Sequence, residues 1–116
     1  MPIRVLNATR NTIVATGADV ADTSAKRRVG LLKKDKLDAG EGLWITPCES
    51  VHTFFMKFAI DLVYLDNKRK VRKVRQAVPP WRISGCFAAR SVLELPSGAA
   101  AASSTQPGDQ LVFEML

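Results

Sequence analysis

Ile60-Asp61-Leu62-Val63-Tyr64-Leu65, followed at once by Asp66-Asn67-Lys68-Arg69, is the feature that most constrains this chain. Six residues are too few for an ordinary helix, and the apolar run bounded by turn formers predicts a strand leading into a tight turn. Similar short runs recur: Ile3–Leu6, Thr12–Ala15, Leu43–Thr46 stopped by Pro47, Val51–Met56, Ser91–Leu95 and Leu111–Met115. Lys70–Val78 carries valines at helical spacing, but its place after a tight turn predicts a strand with a bulge or a short solvent-facing edge. Pro79-Pro80 forces an extended break.

Two helices are expected among these strands. Asp22, Thr23 or Ser24 can cap the first, in which Ala21, Ala25, Val29 and Leu32 recur at helical spacing and which Gly30 ends. Ser97 can cap a short alanine-rich second one over 99–103. The expectation is an α+β chain: a compact, mostly antiparallel, curled or barrel-like sheet of seven to eight short strands with two short helices. Its 116 residues make one domain, spanning 1–116. No apolar run reaches the roughly 20 residues that cross a bilayer. The opening Met1-Pro2-Ile3-Arg4 leads into no apolar leader, so the expected compartment is the cytoplasm.

The formal net charge is +6, from 17 basic and 11 acidic residues. Twelve of those basic residues lie in two stretches. The first holds Lys26, Arg27, Arg28, Lys33, Lys34 and Lys36. The second holds Lys68, Arg69, Lys70, Arg72, Lys73 and Arg75. Such patches attract polyanions without naming one. The second suits phosphate contacts, but no aromatic residue is interleaved in it and no nucleic-acid-binding motif accompanies it. A charged edge strand that resists aggregation is the plainer reading.

The order of several short motifs resembles the family called domain of unknown function 192. They are Gly30-Leu31-Leu32, Gly40-Glu41-Gly42-Leu43-Trp44, Phe54-Phe55-Met56-Lys57, Ile60-Asp61-Leu62, Leu93-Glu94-Leu95 with Gly98, and Gly108-Asp109. The resemblance covers roughly residues 5 to 115. Pro47-Cys48-Glu49-Ser50-Val51-His52 is similar to a cytoplasmic-type bacterial subgroup. Where the family carries Asn-Thr before its aspartate, this chain has Phe58-Ala59. The resemblance implies a strand-rich α+β fold and no established activity.

Cys48, His52, Lys57 and Asp61 form the most chemically able set. Cys48 and His52 are weak candidates for a thiolate nucleophile, with Asp61 or Glu94 as the orienting group, but such a pair needs proximity and a lowered thiol pKa. Small buried Cys48 and hydrogen-bonded His52 are the plainer reading. One His and two Cys do not approach a structural zinc site, so no metal is expected. No phosphate-loop, Rossmann, nucleophile-elbow or zinc-protease motif is present, so no cofactor is expected either. A Cys48–Cys86 disulfide would close a long loop, but a reducing cytoplasm favours two free thiols. Asp61 is expected to accept backbone N–H bonds or to pair with Lys57 or Arg82. Trp81-Arg82, after the rigid diproline, suits the lip of a groove or a plug at the sheet end. Trp44 is expected in the core near Phe54 or Phe55 and Tyr64.

Three functions fit these residues. The leading one is a small non-catalytic binding or accessory domain, taking a small anionic ligand or a peptide in a groove framed by His52, Lys57, Asp61, Trp81 and Arg82. The second is a nucleic-acid-associated protein using the basic patches. The third is a thiol-dependent enzyme.

Overall fold

A computed structural model describes residues 2–116. Its nine strands are β1 (Ile3–Asn7), β2 (Thr12–Ala21), β3 (Glu41–Ile45), β4 (Ser50–His52), β5 (Ile60–Leu65), β6 (Val71–Val78), β7 (Ile83–Gly85), β8 (Ser91–Pro96) and β9 (Leu111–Met115). Helix α1 (Ser24–Val29) lies between β2 and β3, and α2 (Ala99–Ala102) between β8 and β9.

Seven strands form one sheet in the order β6-β5-β8-β3-β2-β1-β9. All neighbours are antiparallel except β2 and β3, which the α1 crossover makes parallel. The sheet curls until its two edges approach. Lys70 bridges Gln110, the Val71 N–H donates to the Asp109 carbonyl at 2.8 Å, and the Leu111 N–H donates to the Arg69 carbonyl at 3.1 Å. The result is a half-barrel, as the strand-rich reading expected. β4 and β7 make a separate two-stranded sheet.

The middle strands explain the continuous apolar runs. All six residues of β5 are buried, because both faces of the sheet are covered. Val63, Leu65, Leu93 and Leu95 face the barrel interior with Val5, Val14, Val71 and Leu111. Leu62, Tyr64 and Val92 face the opposite side, where Leu43, Ile45, Leu31 and Met56 complete a second core.

Several local expectations are corrected. Ala21 belongs to β2, which runs six residues further than Ala15, and α1 buries none of its own residues. The apparent helical stripe therefore joins a strand end to an exposed helix. Thr23 caps α1, accepting from the Lys26 N–H at 3.2 Å, and Gly30 ends it with φ 51°. α2 starts after Gly98 at φ 97°, with no side-chain cap from Ser97. Val51–Met56 is not one strand, since β4 stops at His52. Trp44 packs on Phe113 with ring centroids 4.7 Å apart, and the Arg69 guanidinium lies 5.3 Å over its ring. That places Trp44 on the interior side, away from Tyr64.

Candidate functional site

Thr53 explains why β4 ends early. Its backbone N–H donates to the Arg82 carbonyl at 2.8 Å and its hydroxyl to the Pro79 carbonyl at 2.7 Å. It accepts in return from the Arg82 N–H at its hydroxyl, 2.9 Å, and from the Trp81 N–H at its carbonyl, 3.0 Å. One buried threonine thus clasps the diproline loop. Beyond it the chain turns over, with Phe55 at φ 65° and Trp81 at φ 68°, both left-handed. The strand expected over Val51–Met56, which would set His52, Phe54 and Met56 on one face, therefore breaks after His52.

The clasp assembles an aromatic ladder. His52 stacks on Phe54 at 5.0 Å, Phe54 on Trp81 at 5.8 Å, and Phe55 meets Trp81 edge-on at 4.7 Å. Phe55 is 69% exposed and Trp81 57%. Arg82 follows Trp81 and is exposed.

Of the five residues read as a groove, the structure thus gathers His52, Trp81 and Arg82 at one loop. Lys57 turns to Asp35, forming an exposed ion pair at 2.7 Å. Asp61 is fully buried. Its Oδ1 accepts from the Ala77 N–H at 2.8 Å, and its Oδ2 from the N–H groups of Gly98 at 3.1 Å and Ala100 at 3.0 Å. It fastens the β6 bulge and the start of α2 to β5, and it pairs with neither Lys57 nor Arg82. The backbone donors at the start of α2 are taken by this internal carboxylate.

A cavity of about 440 Å³ lies between α1, the Pro47 loop, β4 and β8. Arg27 and Arg28 of α1 line it, together with Cys48, His52 and Met56. Glu94 of β8 lines it as well and is only 3% exposed. No hydrogen bond or ion pair reaches the Glu94 carboxyl among the described residues. Burial alone acts on it and raises its pKa to about 7. A buried carboxyl without a partner is unfavourable for stability, which makes this cavity the strongest site in the molecule. Sequence reading used Glu94 only as a possible orienting group. The available signal was an acidic residue inside the apolar run Val92-Leu93-Glu94-Leu95.

Cys48 and His52 line the same cavity but do not bond to each other. The Cys48 thiol donates to the Ser50 carbonyl at 3.0 Å, and the His52 Nδ1 accepts from the Phe54 N–H at 3.3 Å. Burial pushes the thiol pKa up, the wrong direction for a nucleophile. Cys48 and Cys86 are both free thiols. Among the described residues no three His, Cys, Asp or Glu side chains gather to hold a metal ion.

The second basic stretch splits by location. Arg69 covers the Trp44 and Phe113 rings, and Arg72 pairs with Asp66 at 3.8 Å. Lys73 reaches β7, donating to the Gly85 carbonyl at 2.7 Å. Lys68 and Lys70 are exposed around the turn, and Arg75 is half-buried on β6. The first stretch divides between α1, which carries Lys26 to Arg28, and the turn after it, where Lys36 pairs with Asp38 at 3.4 Å.

Fold and site together define a small half-barrel domain with a cavity beside its first helix. The model of the DUF192 family, described as uncharacterized ACR, matches residues 5–113, and the chain belongs to that family. A UPF0127 protein of Pyrococcus horikoshii is 32% identical over 113 residues, covering 92% of this chain and 96% of its own. A UPF0127 protein of Thermococcus sibiricus is 29% identical over 119 residues, covering 96% of this chain and 75% of its own. Two crystal structures share the fold. A protein of unknown function from Novosphingobium aromaticivorans superposes with a TM-score of 0.82 at 21% identity, over 97% of this chain and 84% of that one. A protein described as a putative transcription regulator from Sinorhizobium meliloti gives 0.84 at 18% identity, over 97% and 92%. The family has no established function. Among the described residues no helix is long and apolar enough to cross a membrane.

Proposed function

We propose that the protein is a non-catalytic binding domain whose small-molecule ligand occupies the cavity beneath α1. The observation that carries this reading is Glu94, a carboxyl nine-tenths buried and unpartnered at a cavity of about 440 Å³. That volume falls within the roughly 300–1,000 Å³ of small-molecule sites. Glu94 asks for a hydrogen-bond donor. Arg28, lining the same cavity, asks for an anionic group, and Arg27, whose guanidinium donates to the Asp22 and Thr46 carbonyls, adds positive charge beside it. The ligand is therefore a compact molecule bearing both, with an amine or amide at one end and a carboxylate or phosphate at the other. This keeps the small anionic ligand of the sequence reading and moves it from the Lys57–Asp61 groove to the α1 cavity. His52 is shared by both. The compartment proposed is the cytoplasm, which suits two free thiols.

The test is a thermal-shift panel of amino acids, amino-sugar phosphates and nucleoside monophosphates. Wild type, Glu94→Gln and Arg27→Ala/Arg28→Ala are compared. At least one compound is expected to raise the wild-type midpoint by several degrees and to leave both variants unmoved. A panel without any shift, or shifts kept in both variants, would sink the cavity as a ligand site.

A further inference from the structure

The aromatic ladder lies outside the Glu94 cavity, apart from His52, and the ligand proposed above does not use it. Trp81 and Phe55 remain largely exposed although each touches another ring. Ile83, paired with His52 across β4 and β7, is 70% exposed beside them. Exposed apolar surface of this extent is a mark of an interaction site.

The segments that build the ladder and its neighbouring strand are basic, and the nearest acids stand at their borders: Glu49 before β4, Asp66 paired with Arg72, and Asp35 paired with Lys57. From Asn67 to Leu93 the chain holds eight Lys and Arg and no Asp or Glu. Ser50 to Ile60 holds no acidic residue either. The two features share one wall. The Lys73 ammonium reaches the Gly85 carbonyl of β7, and Arg75 sits two residues nearer the diproline loop on the same strand. β7 in turn pairs with β4, whose last residue, His52, begins the ladder. Sequence reading found a basic strand with no aromatic partner. The fold supplies the partner from Phe54, Phe55 and Trp81.

We infer that this wall binds single-stranded nucleic acid, with unpaired bases stacking on Trp81 and Phe55 and phosphates meeting Arg82, Arg75 and Lys73. Flat exposed rings beside a strand that carries Lys73 and Arg75 on one face are the two parts of a sequence-tolerant single-strand site. An acidic peptide would use the cations and leave the rings without a role. A duplex keeps its bases paired and offers the rings nothing to stack on.

The experiment is fluorescence anisotropy of a labelled 12-nucleotide oligo-dT, titrated with the full chain at 50 and 200 mM NaCl. Expected is binding that weakens by about tenfold or more between the two salts. Trp81→Ala should weaken binding at least about fivefold at either salt, with Trp81→Phe recovering most of the loss. Lys73→Gln/Arg75→Gln should flatten the salt dependence. Unfolding midpoints of all variants confirm that each is folded. Absence of binding at 50 mM overturns the proposal. So does binding that Trp81→Ala leaves unchanged, or heparin and duplex competing as well as oligo-dT. Concentration-dependent self-association abolished by Trp81→Ala would assign the ladder to a second copy of this chain and overturn it too.

Discussion

Two buried carboxyl groups on neighbouring strands make opposite use of the same sheet. Asp61 on β5 and Glu94 on β8 are both almost without solvent exposure. Asp61 accepts three backbone N–H bonds and holds a bulge and a helix start in place. Glu94 accepts none, faces a cavity, and holds its proton to a pH of about 7. Equal burial therefore says nothing about role. What separates structure from function is whether the fold itself satisfies the group.

Removing each carboxyl breaks the comparison in a different way, and the larger effect belongs to Asp61. Asp61→Ala leaves the N–H groups of Ala77, Gly98 and Ala100 without their acceptor. Each such loss costs roughly 1–3 kcal/mol, so a total of about 3 kcal/mol or more is expected. Urea unfolding should show a lower midpoint with the slope unchanged. A loss below about 1 kcal/mol would mean that solvent replaces the carboxylate, and Asp61 would lose its structural assignment.

Glu94→Gln acts in the other direction and depends on pH. The unfolded carboxyl gives up its proton near its ordinary value of 4.5, whereas the folded one keeps it to about 7. Between these values the folded protein binds more protons, so stability falls as pH rises. The favourable contribution is complete below 4.5 and gone above about 7. The loss is on the order of 3 kcal/mol. Glutamine cannot ionise. The variant should therefore match the wild type near pH 4.5 and exceed it by about 2–3 kcal/mol at pH 8. Denaturation curves at the two pH values check this. Equal stability at pH 8 would mean that the cavity solvates the carboxylate and that Glu94 is not poised for a ligand.

The same contrast shows how far the sequence could be read. Strands were legible where pattern and turn chemistry coincide, as at Ile60–Leu65 before Asp66-Asn67-Lys68-Arg69. Asp61 was legible as a hydrogen-bonded buried carboxylate, since an acidic residue in a central strand needs donors. Which donors it found was not, because Ala77, Gly98 and Ala100 come from elements 16 to 39 residues away. The ladder was hidden for the same reason. Thr53 carries no sequence signal for its bonds to the Pro79–Arg82 loop, and without them His52 to Met56 reads as a plain alternating strand. Ile83–Gly85 is too short and too polar to stand out, yet it carries the wall that joins the basic strand to the rings. The cavity depends on the α1 crossover bringing Arg27 and Arg28 to the same pocket as Glu94, some 66 residues later, and no local spacing encodes that.

Lys57 supplies the smallest expected effect, and it sharpens the comparison by standing outside both carboxyl sites. The polar cluster in the sequence places it in a groove with Asp61, but its ammonium bonds to Asp35, where both partners are well exposed. The pair holds the Asp35 carboxyl below its usual value through the Lys57 hydrogen bond. Exposed pairs of this kind are screened by salt and add little to stability. Lys57→Ala should leave the unfolding midpoint within the error of the curve. It should also leave the small-molecule shifts unchanged, because the cavity is lined by Met56 and not by its neighbour. A Lys57→Ala variant that lost the small-molecule response would move the ligand site back to the groove of His52, Lys57, Asp61, Trp81 and Arg82. Glu94 would then be a buried carboxyl with no partner of either kind.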